Sequence, residues 1–181
     1  MSRSKRKSGN YDLGPSSSAA PVSQLGVGEL LAMIDLGYDR KAWHGPNLRG
    51  ALRRVDLETA SFRPGPKRRN IWEIVVHSAY WKYAVRRRLL NEPRGEFPLE
   101  GSNWFERPVE PTREAWGSDL RLLEEMHRTL RTVVAALPAD QLHVVPDGCK
   151  VSNFVLIAGV ASHDVYHAGQ IQLLKRLAGD S

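Results

Sequence analysis

The chain has one cysteine, Cys149, so it can form no internal disulfide and no cysteine-based zinc knuckle. No apolar run approaches the roughly 18–20 residues that cross a bilayer. The N-terminal MSRSKRKSGN leads into no apolar stretch, so a secretory leader is not expected. Nothing argues for export, and the expected location is the cytoplasm. Strand signals are equally scarce: the run Leu142–Val145 is too short to count, and there is no internal repeat.

Charge of one sign is also in short supply once the first residues are set aside. The net charge is +6, but Arg3, Lys5, Arg6 and Lys7 against Asp12 supply half of it within residues 1–24. A nucleic-acid module concentrates basic residues on one face and adds a recognisable motif. Neither zinc-finger spacing nor a clear helix-turn-helix is present. Lys67-Arg68-Arg69 and Arg86-Arg87-Arg88 read as solvated helix surface. A nucleic-acid partner is therefore not expected, and a membrane is excluded as a partner on the same grounds as a spanning segment.

What is present is helical periodicity. Residues 1–24 are rich in Ser, Gly, Pro and Lys/Arg and are expected to form a disordered tail ahead of a domain over 25–179. Leu30, Leu31, Ile34 and Tyr38 recur at helical steps. Gly45-Pro46 breaks that helix, and a second short segment is expected over 47–55 before the Pro64-Gly65-Pro66 loop. Asn70 with Glu73 forms a capping-box signature that opens a helix running to about Asn91. A proline-rich loop over 92–111 follows, with Trp104 and Phe105 expected to pin it to the core. Trp116, Leu120, Leu123, His127, Leu130, Val134 and Leu137 form a narrow seam on the next helix. The last helix is expected from about Ser152-Asn153 to Gly179. Four long helices joined by broken loops imply an all-α four-helix bundle.

The chemistry concentrates in the last helix, in Ser162-His163-Asp164-Val165-Tyr166-His167-Ala168-Gly169-Gln170. Residues four apart share a helix face, so His163 and His167 can converge on one ion. The stripe continues through Val160, Gln170, Ile171 and Leu174, which turns both rings inward. Two buried imidazoles require either a metal or hydrogen-bond partners, and an HxxxH pair alone is compatible with both. His77, on the helix opened by Asn70, completes a set of three, and bundle interiors build metal sites from facing helices. A zincin peptidase is excluded, because that motif needs glutamate directly after the first histidine and the residue here is Asp164.

Asn70-Ile71-Trp72-Glu73-Ile74-Val75-Val76-His77 and His163-Asp164-Val165-Tyr166-His167-Ala168-Gly169-Gln170-Ile171 resemble the two motif helices of the DinB/YfiT-like superfamily. The likeness extends in helix order and length from about Leu25 to Gly179. It implies an up-down-down-up bundle, a divalent ion (zinc or nickel), His77, His163 and His167 as its ligands, and a homodimer. Some members use a low-molecular-weight thiol as cosubstrate, in S-transfer or in isomerisation. The resulting expectation is a metal-dependent transferase or hydrolase acting on a small molecule. The alternative is a non-catalytic, metal-stabilised stress-response or dimerisation protein.

Other side chains have two readings each. Glu73 can orient the His77 ring or simply cap its helix. His127 is set aside as a ligand, because in the implied topology its depth along the bundle differs from that of His77 by roughly 12 Å. His44 can face the cleft as a proton carrier or end a helix. Gln170 and Tyr166 flank the ligands, and Trp81 and Trp104 are candidate pocket walls.

Overall fold

The structure is a computed structural model describing residues 26–93, 95 and 97–179. The expected tail over 1–24 lies outside the described residues. Within them the chain is all-helical, without strands. The helices are α1 (Val27–Tyr38), α2 (Leu48–Ala51), α3 (Leu57–Ser61), α4 (Ile71–Leu89), α5 (Arg113–Ala135) and α6 (Asn153–Gly179), with a 3-10 turn at Ala139–Gln141.

Local chemistry sets the boundaries. The Asn70 side chain accepts from the Glu73 N–H at 2.8 Å while the Glu73 carboxylate accepts from the Asn70 N–H at 3.3 Å, the reciprocal cap expected for α4. Thr112 caps α5 by accepting from the Ala115 N–H at 3.1 Å. The segment expected as one helix over 47–55 is instead broken. Asn47 caps the short α2, Arg54 adopts φ +60°, and Asp56 then caps α3. A left-handed residue cannot continue a right-handed helix, and the sequence carries no glycine there to announce it.

The long helices bury two apolar clusters with a polar layer between them. Trp72, Val76, Trp116, Leu123 and Ile171 belong to one cluster; Leu30, Val85, Leu130, Val134 and Ile157 belong to the other. On three of the helices a buried polar residue lies between the two clusters, Lys82 on α4, His127 on α5 and Asp164 on α6, and Tyr38 at the end of α1 joins them from the edge of the first cluster. The Lys82 ammonium donates to Asp164, and both side chains are 1% exposed. Lys82 Nζ also lies 4.9 Å from the centroid of the Tyr38 ring, on which His127 stacks at 3.6 Å. Burial pushes the Asp164 carboxyl above the ordinary carboxylate range, and the Lys82 charge works against that shift.

Contacts at the helix edges complete the packing. Asp35 pairs with Arg131 at 2.7 Å, and the Tyr38 hydroxyl donates to Glu124 at 2.9 Å, tying α1 to α5. Trp72 Nε1 donates to Asp119 at 2.7 Å, tying α4 to α5. At Gly37 a Cβ would stand 2.8 Å from the Ala161 carbonyl oxygen, so α1 approaches α6 at a distance that only glycine allows.

A buried ion pair costs most when only one partner is removed. Lys82→Met is expected to destabilise the chain by about 3–5 kcal/mol, and Lys82→Met with Asp164→Leu to recover most of that loss. Guanidinium unfolding midpoints check this; a single variant as stable as the parent chain would contradict it.

Candidate metal centre

Segments flanking α4 cover its N-terminal half, so that Ile71 to Ala79 are buried on every face. His77 points from this covered stretch towards α6, where His163 and His167 stand one turn apart. His77 Nε2 lies 3.1 Å from His163 Nε2, which lies 3.0 Å from His167 Nε2. One ligating nitrogen from each ring fits within 4.8 Å of the others. His163 and His167, singled out by their spacing, and His77, expected to complete the set, are thus brought together from two helices.

Hydrogen bonds on the far side of two rings fix what the near side presents. His77 Nδ1 is 2.7 Å from the Asn103 carbonyl oxygen, and a carbonyl only accepts, so Nδ1 carries the proton. His167 Nδ1 is 2.7 Å from Gln170 Oε1, and the Gln170 amide nitrogen donates onward to the Tyr166 hydroxyl at 2.9 Å. In this arrangement the Gln170 amide oxygen faces His167, and the Tyr166 hydroxyl behind the amide can accept as well as donate. In the neutral rings, Nε2 of both His77 and His167 therefore offers a lone pair to the same point. A proton on His163 Nε2 can satisfy one of these neighbours at a time, which leaves a repulsive nitrogen–nitrogen contact. A cation at the convergence point removes it, and the donor set suits a divalent transition ion.

Desolvation holds all three rings in the neutral form that ligates metals. It pushes His77 below the ordinary histidine value, His163 to about 3 and His167 to about 4. Neighbouring rings add to the shift at His163 and His167, whereas the Asn103 carbonyl works against it at His77.

Aromatic walls surround the centre. Trp104 stacks on His77 at 3.8 Å with its plane tilted by 6°, and the Arg69 guanidinium lies 4.8 Å from the Trp104 ring. Trp81 meets His77 and His163 edge-on at 6.4 and 6.3 Å. Its indole N–H donates to the Asn103 side chain at 3.0 Å. Asn103 thus holds both a ring and a wall, from a backbone with φ +66°. Sequence reasoning missed it. The one available signal was Gly101-Ser102-Asn103, a turn-forming run in which asparagine tolerates the left-handed region.

Other candidates resolve differently. Glu73 caps α4 and receives Arg63 on both oxygens at 2.8 and 3.0 Å. It makes no hydrogen bond to His77. His127 lies in the polar layer with Tyr38, outside the histidine cluster. His44 is exposed and meets the 96% exposed Trp43 edge-on. Cys149 is a partly buried free thiol that is not part of the cluster.

His127 also makes stability depend on pH. Desolvation chiefly, with Lys82 adding, lowers its folded-state value to about 3, while the unfolded ring titrates near 6.5. Below about pH 6.5 the unfolded chain gains a proton that the folded chain refuses, so stability falls towards pH 3 by up to about 1.4 kcal/mol per unit. His127→Phe is expected to flatten the dependence of the urea midpoint on pH between 6.5 and 4.5 by about one proton. An unchanged slope would contradict this.

The match to known proteins agrees with this geometry. No curated protein and no solved structure matches the chain. The model of a family described as the DinB superfamily matches residues 42–171, which include all three histidines and most of the described fold. On that match the chain belongs to the DinB superfamily.

Proposed function

We propose that this chain is a metal-dependent enzyme that holds one divalent ion, zinc or nickel, on Nε2 of His77, His163 and His167. The observation that carries the reading is convergence: Nε2 of His77 and Nε2 of His167 each stand about 3 Å from His163 Nε2, with the Asn103 carbonyl behind His77 and the Gln170 amide behind His167. Three protein ligands leave a coordination position open, the arrangement of catalytic rather than structural sites. An ion bound there supplies Lewis acidity, lowering the pKa of a water or thiol that shares the position.

The chain's own residues do the rest. The Asn103 carbonyl and Gln170 orient the rings, and Tyr166 orients Gln170. Trp104 and Trp81 restrict the approach of water and leave an opening beside His163. Thiol-dependent S-transfer or hydrolysis of a small molecule suits this open, aromatic-walled centre. For S-transfer the thiol comes from the cosubstrate, since Cys149 is not near enough to the histidines to join their cluster.

The domain over 25–179 is read as an up-down-down-up bundle. The contacts of Asp35 with Arg131 and of Tyr38 with Glu124 support α1 running opposite to α5. Trp72 against Asp119 near the start of both helices, with Val85 and Leu130 further along in one cluster, supports α4 running along α5. His77 beside His163 and Lys82 beside Asp164 support α4 packing against α6.

Elemental analysis of protein purified without a polyhistidine tag is expected to find one equivalent of a divalent transition metal, lost in both His77→Ala and His163→Ala. Metal at trace levels in the parent chain, or retained in both variants, would overturn the reading. Gln170→Leu removes the acceptor behind His167 and is expected to weaken metal affinity by about 10- to 100-fold. Competition with a chromogenic chelator measures that change.

A further inference from the structure

Beyond the histidines, α4 and α6 continue side by side and leave a groove of about 240 Å³ between them. Val85 and Val160 are buried in its floor, and Leu156 and the exposed Val155 extend its apolar wall. The lining includes two polar side chains. One is His163, which belongs to the metal centre; the other is Arg88, near the C-terminus of α4. From Val155 to His163 is eight residues of α6, a reach of about 12 Å at the helical rise.

Arg88 differs from its two neighbours. Arg86 pairs with the Glu92 carboxylate at 2.8 Å, and Arg87 donates to the Glu92 carbonyl at 2.7 Å. No carboxylate among the described residues pairs with Arg88, whose guanidinium instead rests 5.7 Å from the centroid of the Trp81 ring. Trp81 also lines the groove and meets His163 edge-on. A guanidinium held against an indole keeps its fork of donors available for a carboxylate. Space is available too, because a Cβ added at Gly159 on the groove wall meets nothing within 4 Å.

We propose that this groove binds an elongated apolar carboxylate. The carboxylate lies on Arg88, the hydrocarbon chain lies along Val85, Leu156 and Val160, and the far end is delivered to His163. The proposal names a substrate class for the metal centre and rests on the metal reading only at the His163 end. An apolar groove selects the body of the ligand, and the lone guanidinium selects the charge of its tail. Short acids fall short of one end, and neutral chains of equal length lose the Arg88 contact.

The test is calorimetric titration of octanoate, butyrate and octanol into the full chain, both zinc-loaded and chelator-stripped. Octanoate is expected to bind one to one in both forms, at least tenfold tighter than butyrate or octanol. Gly159→Leu, which fills the groove, is expected to weaken octanoate at least tenfold with metal content and melting temperature unchanged. Arg88→Gln is expected to weaken octanoate about tenfold and to leave octanol unaffected. Octanoate binding that disappears with the metal and ignores both substitutions would put the carboxylate on the ion, overturning the groove proposal while the metal reading stands. Groove binding in a chain that takes up no stoichiometric metal would support the groove and overturn the metal reading. No saturable octanoate binding in either form would overturn the groove proposal.

Discussion

The ion pair between Lys82 and Asp164 fixes how far α4 can slide along α6, because two charges withdrawn from water cannot part without each being left unpaired. Lys82 lies five residues beyond His77 on α4, and Asp164 directly follows His163 on α6. A slip of one turn, about 5.4 Å, would orphan both charges and carry His77 away from the other two rings. The remainder of the polar layer works in the same direction. Tyr38 from α1 and His127 from α5 stack beside Lys82, so all four long helices meet at one polar level with apolar clusters on either side. Such a layer adds little more to stability than its apolar equivalent would, and its main contribution is a register.

The second constraint is directional. Burial alone would produce three neutral imidazoles with no reason to point at one another. The Asn103 carbonyl and the Gln170 amide oxygen take the Nδ1 protons and turn the other nitrogens inward. A carbonyl behind an imidazole is the usual way in which a protein prepares that ring for a metal. Trp104, stacked flat on His77 and itself covered by Arg69, prevents that ring from rotating away. The same architecture leaves the side facing Trp81 and Gly159 open, where the groove between α4 and α6 begins.

Much of this was legible in the sequence because it rests on periodicity. The four-residue step from His163 to His167, the capping pair Asn70 and Glu73, and the seam from Trp116 to Leu137, which α5 holds through Val134, all depend on spacing within one helix. His77 was legible as the third member because it sits on a facing helix of the bundle, inside the first of the two motif helices. What escaped depends on contacts between segments. Lys82, next to Trp81, carries no mark that separates a buried lysine from a solvated one. Asn103 acts through its backbone oxygen, which no side-chain motif encodes. Glu73 spends both oxygens on Arg63, ten residues earlier, across a loop whose course the sequence leaves open. The break at Arg54 between α2 and α3 is a left-handed residue without glycine, so a single helix over 47–55 was the natural expectation.

The central claim is that imidazoles from α4 and α6 hold one divalent ion through Nε2 with a position left open. X-ray absorption at the metal edge of the untagged protein addresses it most directly. The account predicts a first shell of nitrogen and oxygen only, at about 2.0–2.1 Å for zinc, with outer-shell scattering that fits three imidazoles. A first shell containing sulfur, or a spectrum without imidazole scattering, would contradict it.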